Sequence, residues 1–158
     1  MTTIFGKAVS DYLYFQKEFL VAASAVGFAR LGLSLAGLAD STVAWLSMSA
    51  VALAAVLYYG VAVHTRRFGS YKQLLPLVFF QVALVHGIAA LGILVSIAGF
   101  PNVFTAPEFS GPVPNPNPWT HLMAHLTIGI VVPTLLLWGI GSLFLLLTKK
   151  VARREAVA

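Results

Sequence analysis

Residues 73–100 read QLLPLVFFQVALVHGIAALGILVSIAGF and contain no charged side chain. A helix needs about 20 apolar residues to cross roughly 30 Å of hydrocarbon, so this stretch is long enough to span a membrane. Three further apolar stretches of suitable length lie at residues 19–39, 43–63 and 119–148. The sequence therefore predicts an all-α fold, an integral membrane bundle of four transmembrane helices.

The composition of the whole chain agrees with a membrane protein. Of its 158 residues, 59% are hydrophobic and only 9% are charged, whereas a soluble domain carries roughly a quarter charged residues. The chain has no cysteine, which excludes disulfides, thiolate metal sites and cysteine-ligated iron–sulfur clusters. Asp11 and Glu18 precede the first apolar stretch, which has no short basic leader, so we expect that helix to remain in the mature protein.

The positive charges indicate the orientation of the chain. The net charge is +5, and nine of the ten basic residues flank the apolar stretches. These nine are Lys7, Lys17, Arg66, Arg67, Lys72, Lys149, Lys150, Arg153 and Arg154. Basic residues favour cytoplasmic loops, so both termini are predicted to be cytoplasmic, in a bacterial inner membrane. The expected partners are the lipid bilayer and other membrane subunits or further copies of the chain, and no nucleic acid.

The segments between the apolar stretches have distinct compositions. Residues 1–18 are amphipathic, which predicts an interfacial helix or an extension of the first span. Residues 40–42 supply N-cap side chains for the second span. Residues 101–118 contain six prolines and are predicted to form an external, semi-rigid loop between helices 3 and 4, from which Asn117 and Pro118 open the fourth helix. Residues 149–158 are expected to form a basic cytoplasmic tail.

Arg30 is a candidate cofactor-binding residue because it lies deep in the first span. An arginine at this depth costs about 2.5–3.5 kcal/mol on insertion scales and normally faces protein, water or a partner. No predicted span contains an acidic residue. We therefore expect the counter-charge of Arg30 to come from a cofactor carboxylate, a lipid phosphate or a neighbouring subunit, the alternative being a structural arginine bonded to neutral acceptors.

His86 is the second candidate cofactor ligand. It lies near the middle of the third span, with Ala83, Ala89 and Ala90 at helical spacing around it. Small neighbours leave clearance for a flat tetrapyrrole, so His86 is a candidate ligand of haem b or another tetrapyrrole. The alternative is a histidine that hydrogen-bonds between helices.

His121 and His125 lie four residues apart, on one face of the fourth helix. This spacing suits a chelated metal ion, although a third ligand would have to come from His86, the proline-rich loop or another chain. The alternative for both histidines is hydrogen bonding at the membrane interface. His125 is also a candidate cofactor ligand. Counted from the predicted outer helix ends at 1.5 Å per residue, His86 lies about 10 Å deeper than His125. This difference argues against a haem held between these two histidines.

Three functions remain open on the sequence alone. The first is a small membrane subunit of a larger complex, respiratory or electron-transferring, in which Arg30, His86 and His125 line one cavity for a haem propionate or a quinone headgroup. The second is a small transporter or channel. The third is a membrane metal-binding protein or enzyme that uses His121 and His125. No catalytic motif is present, so enzymatic activity of the isolated chain is not expected.

Overall fold

A computed structural model describes residues 2–105 and 117–155. Two short strands, β1 (Thr3–Ile4) and β2 (Lys7–Ala8), form an antiparallel hairpin at the start of the chain. Helices make up most of the remaining described residues. In chain order they are α1 (Val9–Phe15), α2 (Lys17–Leu35), α3 (Asp40–Val43), α4 (Met48–Thr65), α5 (Tyr71–Ile97), α6 (Pro118–Leu126) and α7 (Ile128–Glu155).

Four helical stretches are long and apolar enough to cross a membrane, which confirms this part of the sequence prediction. They are Lys17–Leu35, Asp40–Thr65, Tyr71–Ile97 and Pro118–Arg154. The second stretch comprises α3 and α4, and the fourth comprises α6 and α7. Helix α7 continues to Glu155, so most of the segment expected to be a basic tail is helical.

The long helices pack around a central pair. Helices α4 and α5 contact each other, and α2 and α7 each pack against both of them. The Nζ of Lys149 donates a hydrogen bond to Ser70 Oγ (2.8 Å), and Gln73 Nε2 donates to the backbone oxygen of Phe5 (3.0 Å). The N-terminal hairpin, the α4–α5 loop and the end of α7 therefore meet at one end of the bundle, which we call the terminal end.

The N-terminal segment differs from the predicted amphipathic helix. Its first residues pair as strands, and the turn between them has positive φ at Phe5 (48°) and Gly6 (82°), as expected for a type I′ hairpin. Tyr12 of α1 is fully buried, and its hydroxyl donates to the backbone oxygen of Ile4 at 2.8 Å. The N-terminal hairpin is thus held at the terminal end of the bundle, because the hydrogen bond from buried Tyr12 binds the backbone of β1.

The long helix of the second span, α4, begins later than predicted. Asp40, Ser41 and Thr42 belong to the four-residue helix α3 and do not cap the long helix. Ser47 is the N-cap of α4, and its Oγ accepts a hydrogen bond from the backbone nitrogen of Ala50 at 3.2 Å. Asp40 instead accepts a hydrogen bond from Ser34 Oγ at 3.0 Å, so its carboxylate joins the first span to the turn.

The fourth span is broken into two helices. Asn117 caps α6 as predicted, since its Oδ1 accepts from the backbone nitrogen of Trp119 at 3.0 Å and Pro118 occupies the first helical position. The break lies at Thr127, where φ is −119° and ψ is −90°. Pro133 lies within α7 and removes one backbone donor, but it does not mark the break.

The start of the predicted external loop folds back onto the bundle. Asn102 Nδ2 donates to the backbone oxygen of Gly92 (2.8 Å), and Asn102 Oδ1 accepts from the backbone nitrogen of Phe104 (3.1 Å). Val103 and Phe104 are buried against Leu122 of α6. The prediction of a semi-rigid proline-rich loop falls mainly on residues 106–116, which lie outside the described residues.

Candidate functional site

Three histidines form a contiguous row where α5 meets α6. The Nδ1 atoms of His86 and His125 lie 2.9 Å apart, within hydrogen-bonding distance. The ring centroids of His121 and His125 are 5.0 Å apart, and those of His86 and His125 are 5.1 Å apart. The row therefore runs from His86 on α5 to His125 and then to His121 on α6, the two candidate metal ligands.

The close approach of His86 and His125 contradicts the depth estimate made from the sequence. That estimate assumed that α5 and the fourth span reach the same level at their outer ends. In the structure α5 ends at Ile97 rather than Phe100, and the chain turns back along α5 through Asn102 before α6 begins. The break at Thr127 then lets α6 pack separately against α5, which places His125 beside His86.

Gly129 makes room for His86 beside α7. A Cβ atom at this position would lie 2.7 Å from His86 Nδ1 and 2.9 Å from its Cε1. The ring edge that bonds His125 thus lies directly against the α7 backbone. Since Nδ1 is engaged by His125 and no other described residue hydrogen-bonds to His86, its Nε2 is the nitrogen left for a ligand.

His86 also lines an apolar groove between α4, α5 and α7. The groove has a volume of about 400 Å³, which falls within the range of small-molecule sites. Its other lining residues are Ser49, Ala52, Leu53, Val82, Val85, Pro133, Leu136, Leu137 and Ile140. Among these described lining residues, His86 and Ser49 are the polar ones. His86 lies beside Gly129 of α7. The lining residue Ile140 is eleven residues further along α7, so the groove extends about 16 Å from the level of His86 toward the terminal end.

Arg30 belongs to a different set of contacts. Its guanidinium carbon lies 5.3 Å from the ring centroid of Phe104. The short helix α3 brings the carboxylate of Asp40 back to α2, where it accepts a hydrogen bond from Ser34, four residues after Arg30. Arg30 and His125 are not among the residues that line the groove beside His86.

A buried polar contact near the terminal end was not predicted as a pair. The Tyr59 hydroxyl donates to Gln16 Oε1 at 3.3 Å, and both side chains are fully buried. Gln81 is also fully buried, and its Nε2 donates to the backbone oxygen of Phe19 at 3.5 Å, as expected of an interhelical hydrogen bond. Tyr59 is fully buried and Tyr58 only partly so, and no sequence periodicity distinguishes the two.

The histidine row does not fit a haem iron held on opposite faces by His86 and His125. Metal–nitrogen bonds of about 2.0–2.1 Å require two ligating nitrogens on opposite sides of a metal to lie about 4 Å apart, but the two Nδ1 atoms are 2.9 Å apart. In the described part of the chain, no three His, Asp or Glu side chains are arranged to hold a metal ion. The arrangement fits a hydrogen-bonded histidine pair better than a bis-histidine haem.

Comparisons with known proteins identify no relative. No family model matches the chain, and no curated protein or solved structure is significantly similar to it. The function is therefore inferred from the groove, the histidine row and the charges at the ends of the bundle.

Proposed function

We propose that this protein is an integral membrane subunit of an electron-transfer complex and that it binds a lipid-soluble quinone in the groove beside His86. The observation that supports this best is the groove itself, which is apolar along its length and carries an imidazole and a hydroxyl among its lining residues. A quinone has a matching distribution of polar and apolar groups, since its carbonyl oxygens lie on the ring and its long isoprenoid tail is apolar.

The histidine pair suits both redox forms of such a ligand. A neutral imidazole carries its proton on one nitrogen and accepts on the other. When His125 Nδ1 donates to His86 Nδ1, the Nε2–H of His86 is a donor for a quinone carbonyl. When the hydrogen bond between the two rings is reversed, His86 Nε2 becomes an acceptor for a quinol hydroxyl. His125 therefore acts as a positioning residue, since it sets the tautomer of His86.

The shape of the groove supports a ligand that enters from the bilayer. Leu136 is 65% exposed and Leu53 is 43% exposed, so the groove opens on the outer surface of the bundle. In a membrane this surface faces acyl chains, and an isoprenoid tail reaches the groove without crossing water. The basic residues support termini in the cytoplasm, which would place His86 in the outer half of a bacterial inner membrane.

The other two functions have less support. A transporter would need a continuous polar route, whereas the groove is apolar except for His86 and Ser49. A metal-binding function would need a third ligand for His121 and His125, and His86 already shares a hydrogen bond with His125.

Filling the groove tests the proposal. Leu136→Trp adds a large side chain to the groove wall at an exposed position, so it should block the ligand without opening the core. We expect binding of a short-tailed benzoquinone or naphthoquinone to fall at least about tenfold, while thermal stability stays unchanged. The measurement is quenching of intrinsic tryptophan fluorescence or equilibrium dialysis, with the protein in lipid nanodiscs.

Leu135→Trp is the matched control. Leu135 is adjacent on α7 and 56% exposed, but it does not line the groove, so this variant should bind quinone like the wild type. Equal affinity of both variants would refute the site. Equal binding of quinone and a tail-matched hydrocarbon without the ring would refute the role of the polar groups.

A further inference from the structure

A second cleft, at the terminal end of the bundle, lies between the end of α4 and the end of α7. It has a volume of about 660 Å³ and is lined by His64, Thr65, Arg67, Gly69 and Ala152. Arg67 carries a positive charge, His64 offers a ring nitrogen, and none of the described lining residues is acidic. The cleft is therefore suited to an anion.

Arg67 adopts a backbone conformation that is unfavourable for a residue with a side chain. Its φ is 54°, in the left-handed region that glycine adopts most readily. Its backbone nitrogen donates to the oxygen of His64 at 3.0 Å, which closes a tight turn after α4. Non-glycine residues in this region cluster at functional sites. A glycine would fit this turn better, so the arginine side chain needs another explanation.

Lys149 adds a further fixed cation close to the cleft. Its Nζ donates to Ser70 Oγ at 2.8 Å and lies 4.3 Å from the ring centroid of Tyr71. Ser70 follows the cleft residue Gly69, and Lys149 lies three residues before Ala152 on α7. The long side chain is held by two contacts, so its charge stays at the edge of the cleft.

The neighbouring cleft at the terminal end differs in the signs of its charges. It is lined by Lys7, Lys17 and Arg66, but also by Asp11 and Glu18. These acids offset two of the three positive charges. Counting histidine as neutral, the lining residues of both clefts sum to +1. The cleft of Arg67 differs because none of its described lining residues is acidic and because Lys149 adds a second cation nearby.

We propose that the cleft of Arg67 binds the phosphate of an anionic phospholipid headgroup. A lipid is favoured over a soluble phosphate because apolar side chains on α7 continue away from the cleft. Leu147 and Val151 are 57% and 56% exposed and offer acyl chains a surface beside Ala152. Basic clefts between helices at the cytoplasmic membrane surface are a recurring site for anionic headgroups. This inference does not depend on the proposed quinone function.

Arg67→Gly tests the site with little risk to the fold, because glycine tolerates the positive φ. The full chain is extracted in detergent with equal amounts of phosphatidylglycerol and phosphatidylcholine, and bound lipids are counted by native mass spectrometry. We expect the wild type to retain phosphatidylglycerol preferentially. Arg67→Gly should retain it about fivefold less well, the effect of one arginine near an anionic surface, with unchanged or higher thermal stability in phosphatidylcholine.

Lys72→Gln is the control, because it removes one positive charge, as Arg67→Gly does. Lys72 is exposed at the terminal end but does not line the cleft, so its loss should reduce phosphatidylglycerol retention less than twofold. Equal losses in both variants would show a diffuse charge effect and overturn the site. A wild type without preference for phosphatidylglycerol would overturn it as well. Displacement of the lipid by millimolar inorganic phosphate would show that the cleft takes free phosphate, contrary to the proposal.

Discussion

Gly60→Ala is expected to destabilise the bundle by about 1–3 kcal/mol, the usual cost of overpacking a tight interface. A Cβ atom at position 60 would lie 2.6 Å from Phe144 Cβ and 2.7 Å from the backbone oxygen of Gly141. Neither atom belongs to the flexible end of a side chain, so α4 and α7 would have to separate. Because small residues allow helix backbones to pack closely in lipid, the added methyl group removes contact along both helices. The measurement is thermal unfolding in detergent.

Gly139→Ala provides the comparison. Gly139 is also helical, but no atom lies within 4 Å of a Cβ built there. Alanine is favoured over glycine in a helix by up to about 1 kcal/mol, so this variant should be as stable as the wild type or more stable. If Gly60→Ala and Gly139→Ala unfold at the same temperature, the close packing of α4 on α7 is not what stabilises the bundle.

His86→Phe is expected to reduce quinone affinity about tenfold or more. The substitution keeps an aromatic ring but removes both nitrogens, so it abolishes the proposed hydrogen bond to the ligand. Such a bond contributes about 1–1.5 kcal/mol, and 1.4 kcal/mol corresponds to a factor of ten in affinity. The variant also leaves His125 Nδ1 without its partner at 2.9 Å. Quinone titration in nanodiscs measures the effect, with the unfolding temperature recorded on the same samples.

The other two histidines separate direct from indirect effects. His125→Phe should weaken quinone binding less than His86→Phe, because His125 acts only through the tautomer of His86. His121 contacts His125 by ring packing at 5.0 Å, so His121→Phe should leave affinity close to the wild-type value. Equal losses for all three variants would indicate a general disturbance of α6 and contradict the assignment of His86 as the ligand donor.

The sequence predicted the candidate residues better than their arrangement. His86 and Arg30 stood out because they are polar residues within apolar stretches, where burying a polar side chain in lipid is costly unless it has a partner. The sequence placed Arg30 and His86 in one cavity, whereas the structure places Arg30 beside Phe104 and His86 beside His125 and Gly129. Helix rotation decides these neighbours, and apolar residues on every face leave rotation undefined.

The position of His125 shows why depth could not be counted from the sequence. Counting at a fixed rise per residue requires a straight helix and a known end. The break at Thr127 and the return of Asn102 to Gly92 remove both conditions. The sequence around these residues predicts neither feature. A threonine does not by itself mark a helix break, and the hydrogen bond of Asn102 joins it to Gly92, ten residues away on the other side of a turn.

By itself, the sequence determined four long apolar helices and the basic clusters that flank them, because length and hydrophobicity are properties of each segment alone. Only the tertiary structure decided that three histidines form a row, that His86 borders a groove, and that Arg67 borders a cleft whose described lining residues include no acid. These features depend on contacts between helices. Such contacts are set by close packing at Gly60, Gly129 and Gly141, where the absence of a side chain lets two backbones or a ring approach.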